Sequence, residues 1–146
     1  MPITIEEDPT FIGFNQAIIQ NIINTVFEKE GYTIDNITLV FGNDDLLNSL
    51  KKKFFNKDHL TDVIAFRLND YAEKNVEGEI YISVPRAKEN AKSFKEPFAK
   101  EVGRLIIHGG LHLLNYDDET KETKATMAGK EEAYLKQCPW QNLIHE

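Results

Sequence analysis

Cysteine is nearly missing from this chain. Cys138 has no partner for an intrachain disulfide, which excludes a disulfide-stapled scaffold and fits a reducing compartment. Long apolar runs are missing too. No stretch approaches the roughly 20 apolar residues that span a bilayer, and no basic segment leads into an apolar one. Neither a membrane span nor a secretory leader is expected, and the cytoplasm is the default location. Positive charge is scarce: 17 Lys and Arg against 24 Asp and Glu leave a net charge of −7, which argues against nucleic-acid binding by bulk charge. Repeats, low-complexity tracts and linkers do not stand out. What is there is an ordinary composition over 146 residues. A chain of that length buries roughly two-thirds of its unfolded surface, so one domain over residues 1–146 is expected.

Any role with nucleic acid must therefore draw on local positive charge. One cluster is Lys51, Lys52, Lys53 and Lys57. Another is Arg86, Lys88, Lys92, Lys95, Lys100 and Arg104. Charge runs of this kind are usually solvated helix faces.

The apolar pattern alternates between helical and strand periods. Thr4 to Glu6 reads as a short strand. Phe11 to Lys29 carries Ile12, Ala17, Ile18, Ile22, Ile23 and Val26 at helical spacing, with Gly31 placed to end the helix. Ile37 to Phe41 is a β-branched and aromatic run, read as a strand. Asn43 or Asp44 caps a helix to about Phe55, with Leu46, Leu47, Leu50 and Phe54 as its buried stripe. Thr61 to Leu68 and Gly78 to Val84 read as further strands, joined by a polar hairpin loop over Asn69 to Glu77. Pro85 ends the second of these. Helices are expected over Arg86 to Phe94, from Pro97 to Leu114, and over Lys121 to Lys136. The fold class is α+β: a small mixed four-stranded sheet packed with about five helices, the Pro97–Leu114 helix central.

That helix is the most informative element. Val102, Leu105, Ile106, Ile107, Leu111, Leu113 and Leu114 cover most of its circumference, so it is buried. Its polar exceptions, Glu101, Arg104, His108 and His112, form one stripe. Buried polar groups without partners cost a few kcal/mol each, so the stripe must face a cleft, partners or a metal. Gly103, Gly109 and Gly110 each cost roughly 1 kcal/mol relative to alanine, which close approach of a neighbouring backbone or a ligand would explain. Asn115 stands where a left-handed residue ends a helix, and the turn sends Tyr116, Asp117 and Asp118 back toward the histidines.

His108 and His112 are four residues apart, on one helical face. Two imidazoles so placed bind one metal ion, and a carboxylate from the turn adds a third ligand while leaving a coordination position open, as in catalytic rather than structural zinc sites. Spacing favours Asp118 as that carboxylate, then Asp117, then Glu119. One Zn²⁺ per chain is the expected cofactor, and a carboxylate in the set lets other divalent ions compete. The spacing matches the long zincin motif H-E-x-x-H-x-x-G-x-x-H, but Gly109 stands where those proteases carry their general base. A substrate that brings its own charge and nucleophile, such as an RNA phosphodiester, fits better.

The run His108-Gly109-Gly110-Leu111-His112-Leu113-Leu114-Asn115-Tyr116-Asp117-Asp118 resembles the hallmark H-G-x-L-H-L-x-G-Y-D-H of the YbeY-type endoribonucleases, bacterial rRNA maturation factors. Thr61-Asp62-Val63-Ile64-Ala65-Phe66 is similar to their T-D-V-L-S-F block, and Gly78-Glu79-Ile80-Tyr81-Ile82-Ser83 to their G-D-I-x-I-S block. Order and spacing agree from about Leu39 to Leu135. The resemblance implies a compact α+β fold and a zinc ion held by His108, His112 and Asp118. It also implies a metal-dependent endoribonuclease that favours single-stranded RNA and acts in 16S rRNA 3′-end processing and ribosome quality control. Small-subunit ribosomal proteins are the candidate protein partners.

Three positions depart from the pattern: Asp118 replaces the third histidine, Asn115 the late glycine, and Phe55 an arginine proposed to contact RNA. Lys51, Lys52 and Lys53 are candidate replacements, although lysine lacks arginine's two-pronged grip on phosphate. Arg104, one turn before His108, is the alternative phosphate contact and, with His108 and His112, completes the candidate catalytic set. Phe54 and Phe55 are candidates for base stacking. His59 reads as a surface-loop residue, His145 is given no role, Asp62 either fixes a loop or supports the metal site, Cys138 is no ligand, and Trp140 anchors the tail. Two other functions stay in view: a zincin-like metallopeptidase, and a non-catalytic ribosome-assembly factor with a structural metal.

Overall fold

Alternation of buried and part-exposed side chains builds the sheet. The computed structural model describes residues 2–7, 13–55 and 61–144. Among these, strands β1 (Ile3–Glu7), β2 (Thr33–Gly42), β3 (Val63–Arg67) and β4 (Asn75–Ser83) form one sheet in the order β1-β2-β4-β3. The first three of that order are mutually parallel, and β3 runs antiparallel to β4, so the sheet is mixed. Ile37, Leu39 and Phe41 of β2 and Val76, Ile80 and Ile82 of β4 are all buried. The β2 strand starts at Thr33 rather than Ile37, because pairing with Asn75–Glu77 carries polar residues that no apolar pattern marks.

Five helices follow in chain order among the described residues: α1 (Gln16–Lys29), α2 (Asp44–Phe55), α3 (Val84–Phe94), α4 (Phe98–Leu113) and α5 (Lys121–Gln137). The α1 helix begins at Gln16 because the Asn15 side chain accepts from the Ala17 and Ile18 N–H groups. Phe11 and Ile12, assigned to this helix from sequence, lie outside the described residues, as do Lys57, His59 and His145. Gly31, at φ +86°, turns the chain away at its end. Pro85 does follow the end of β4, but it stands in the first turn of α3, which Ser83 caps.

The α4 helix packs against β3, β4, α1, α3 and α5, and is buried almost all round, as its composition requires. Gly109 lets it approach the sheet: a β-carbon there would meet Ile80 Cγ2 at 2.6 Å. The neighbour is a core side chain of β4, neither backbone nor ligand. Asn115, at φ +74°, ends the helix in the left-handed conformation.

The opposite face is thinner, and here the sequence expectation fails. Only Leu47 of the four-residue stripe is buried; Leu46 is 36% and Phe54 56% exposed, and Leu50 is part-exposed. The α2 helix covers the sheet face that carries Phe66, Tyr81 and Glu79, and nothing among the described residues packs over its outer side. The tail does anchor as expected: Leu143 is buried, its carbonyl accepts from Asn15 N–H at 2.7 Å, and Trp140 packs beside Gly103 of α4. No helix of the described residues is long and apolar enough to cross a membrane.

Candidate metal centre and cleft

The turn that leaves α4 brings the acidic segment back to the histidines. Asn115 N–H donates to His112 O and Tyr116 N–H to Leu111 O, which reverses the chain within one turn. Arg67, at the end of β3, holds the same corner from the sheet side. Its guanidinium donates to Leu113 O at 2.7 Å, to the carbonyls of Asp70 and Glu73, and to the Asn69 side chain. A third tie comes from α1. Glu30, one residue past that helix, accepts from Tyr116 Oη at 2.6 Å, from Tyr134 Oη, and from Lys130 Nζ at 3.0 Å. Although partial burial works against it, these donors hold the Glu30 carboxyl below its ordinary value.

His108, His112 and Asp118 converge, with one ligand atom from each lying within 4.8 Å of the others. The two Nε2 atoms are 3.0 Å apart; the Asp118 oxygens lie 3.6 Å from His108 Nε2 and 3.9 Å from His112 Nε2. Ligands at roughly 2.1 Å on a tetrahedral ion sit about 3.4 Å from one another, so these separations fit a shared divalent ion. Asp117, the second choice from spacing, serves the turn instead: its carboxylate accepts from Thr123 and from Glu119 N–H. Glu119 lines the cleft without joining the triad.

The surroundings of the imidazoles suit a metal ion. Burial, and then the neighbouring His108 ring, push His112 below the ordinary imidazole value, while Asp118 and the Tyr116 backbone oppose the shift. A neutral ring is the form that binds metal. His108 Nδ1 is 2.6 Å from Glu131 Oε2 on α5. A carboxylate only accepts, so Nδ1 carries a hydrogen, and in the neutral ring this leaves the Nε2 lone pair for an ion on the Asp118 side.

The triad lies in the wall of a cleft of about 580 Å³, lined also by Lys51, Phe55, Tyr71 and residues 61–65 of the edge strand β3 and its approach. Asp62 is in this wall; its side chain accepts from Asn90 at 2.9 Å, and its carbonyl accepts from Ser83 N–H. Among the described lining residues, Asp62, Asp117, Asp118 and Glu119 face one cation, Lys51. A phosphate entering such a cleft meets repulsion unless a metal ion supplies compensating charge. Lys51 stands over the Phe55 ring at 4.6 Å and Lys53 over Phe54 at 5.3 Å, and Phe55 stacks on Phe66. Lys52 and Lys53 are exposed on α2, next to the cleft but not among its lining residues.

Arg104 does not join them. It lines a separate pocket between α3, α4 and α5. Its Nε and Nη2 donate to Glu101 at 2.8 and 2.7 Å and its Nη1 to Glu131 at 3.1 Å. All three guanidinium nitrogens are engaged by carboxylates, so the expectation of a phosphate contact from Arg104 does not fit the geometry. One helical turn from His108 is near along the axis, yet the arginine side chain leaves on the side facing α5. The other basic cluster is likewise dispersed, with Arg86 paired to Asp44 and Lys100 to Glu96. Cys138 is buried away from the triad, and burial pushes its thiol up.

Sequence reasoning missed Glu131, Glu30 and Arg67. A signal existed for Glu131: it falls four residues after Met127 and four before Leu135, on the buried stripe of α5. A carboxylate on a core stripe needs a partner. Glu30 and Arg67 stand at element ends among other polar residues, where no spacing marks them.

The family model described as Endoribonuclease YbeY matches residues 5–139. The endoribonuclease YbeY of Amoebophilus asiaticus is 40% identical over 131 residues, covering 88% of this chain and 87% of that protein. Those of Chlorobium phaeobacteroides and Cytophaga hutchinsonii are 37% and 35% identical, covering 83% and 89% of this chain and 86% and 90% of theirs. The solution structure of TM1509 from Thermotoga maritima superposes with a TM-score of 0.62 at 28% identity, over 92% of this chain and 87% of that one. On its sequence, fold and converging triad, the chain belongs to the endoribonuclease YbeY family.

Proposed function

We propose that this chain is a single-domain, zinc-dependent endoribonuclease that cuts single-stranded RNA in the cytoplasm, in 3′-end maturation of 16S rRNA and in ribosome quality control. The convergence of His108, His112 and Asp118 in a cleft, in a chain of this family, carries the reading. These three side chains hold the ion. When bound, the ion supplies Lewis acidity and positive charge at the phosphate, and acidifies water. Lys51 adds charge beside the scissile phosphate, Lys52 and Lys53 attract the flanking backbone, and the half-exposed Phe55 ring, backed by Phe66, receives an unstacked base when Lys51 swings from over the ring to the phosphate. That last contact favours single strands, since bases within a duplex have no free face.

A peptidase lacks its base here. The position after the first histidine is Gly109, whose missing side chain would point into Ile80 rather than into the cleft. Elemental analysis of the purified protein, paired with cleavage of a single-stranded RNA, the same RNA as a duplex, and casein, tests the proposal. Stoichiometric zinc and cleavage of the single strand, both lost in His112→Ala, are expected. Casein cleavage without RNA cleavage would reject it, and so would RNA cleavage that persists in refolded, metal-free His112→Ala.

A further inference from the structure

Behind the cleft runs a chain of polar side chains that the proposed chemistry does not use. It starts at His108 Nδ1, passes to Glu131, and continues through Arg104 to Glu101. Glu101 accepts from the Asn90 amide at 3.0 Å, and the same amide donates to Asp62 in the cleft wall. Glu131 and Glu101 are 5% and 3% exposed, far below what a carboxylate ordinarily tolerates. Among the described residues, Arg104, a quarter exposed, is the cation paired to both. Its planar fork satisfies two carboxylates at once, which a lysine ammonium cannot do in the same geometry.

We infer that Glu131 is a positioning residue that fixes His108 in the tautomer offering Nε2 to the metal, and that Arg104 serves the site by holding this carboxylate rather than by touching RNA. The inference rests on the metal reading above. Three observations support it. Glu131 Oε2 meets Nδ1 at 2.6 Å, the short distance of a charge-assisted hydrogen bond. Its other oxygen is held by Arg104, so the carboxylate cannot rotate away without breaking both contacts. Glu131 also comes from α5, the helix that directly follows the metal turn. One hydrogen bond thereby locks the ring of α4 to the element that sets where the turn ends. Metal-bound histidines generally donate their second N–H to such a partner, and losing it lowers metal affinity roughly 10–100-fold.

The test uses the full chain and zinc. Zinc affinity is measured by competition with a chromophoric chelator, the His108 tautomer by ¹⁵N chemical shifts of the imidazole, and RNA affinity at saturating zinc with an oligonucleotide whose 2′-positions are blocked. Glu131→Ala should lower zinc affinity roughly 10–100-fold and lose the Nδ1–H signature. Glu131→Gln, whose amide oxygen still accepts from Nδ1–H, should keep the signature and lose less affinity. This variant keeps the test decisive where the alanine form is unstable. Arg104→Lys should weaken zinc binding and leave RNA affinity at saturating zinc unchanged. Wild-type zinc affinity in both Glu131 variants would overturn the inference. So would an Arg104→Lys protein that holds zinc normally but binds RNA more weakly. A wild-type protein that takes up no divalent ion would instead remove the metal reading itself.

Discussion

Glu30 is 30 residues into the chain, yet it governs a turn beyond residue 113, because three donors from α5 and that turn meet on its carboxylate. Tyr116 is two residues from Asp118, so this contact fixes one end of the segment that delivers the third candidate ligand. Removing the donor in Tyr116→Phe should cost about 1.5–3 kcal/mol at neutral pH, the range for a hydrogen bond to a charged group. The pH dependence has a definite sign. The folded-state value of Glu30 is depressed below the ordinary 4.5, so its contribution is fully present above 4.5 and is lost as pH falls through the lower folded value. Denaturant unfolding of the wild type and of Tyr116→Phe should therefore show a gap at pH 7 that narrows below pH 4.5. A gap that stays constant into acid would mean that the tyrosine acts through packing and not through the carboxylate.

Among the elements, α4 carries the site, and its packing against the sheet sets where the histidines lie. Gly109→Ala adds a methyl group 2.6 Å from Ile80 Cγ2, a fully buried core atom, so the side chain or the helix must shift. Overpacking of this kind costs about 1–3 kcal/mol, against the roughly 1 kcal/mol that alanine returns in helix propensity. A net loss of stability is expected, together with weaker zinc retention, since a lift of the helix falls at the residue next to His108. A melting temperature raised by the substitution would show that the approach to β4 is loose. The same helix was the most legible element in the sequence. Its apolar residues surround it, and such a helix has one consistent place, the centre. The α2 helix was legible in its length and caps but not in its burial. A stripe of apolar residues marks a face without showing how much of a layer lies opposite, and here the opposing surface is a patch around Phe66 and Tyr81. The candidate ligands were legible because helical spacing is local. The side on which Arg104 leaves α4 was not, because it depends on Glu131, 27 residues on in another helix.

For the whole molecule the controlling quantity is charge. The chain carries a net −7, and the described cleft lining sets four carboxylates against one lysine. An RNA strand approaching the metal-free protein meets a like-charged surface, which Lys51 in the lining and Lys52 and Lys53 beside it offset only in part. Binding an ion of charge +2 in the triad offsets most of this negative charge at the point where the phosphate must sit, and it does so inside a recess where screening is weaker than at the surface. Metal removal should therefore weaken RNA binding, not merely stop cleavage. The measurement is anisotropy of a labelled, 2′-blocked single strand titrated with protein, with and without a chelator, across a series of salt concentrations. With zinc present, log affinity should fall linearly with log salt. Lys51→Ala should reduce that slope by roughly 0.7, the value for one phosphate contact on a single strand. With chelator present the slope should flatten and affinity fall several-fold. An affinity indifferent to the chelator would place the strand on Lys52 and Lys53 of α2, outside the cleft. In that case the triad could not be the group that receives the phosphate.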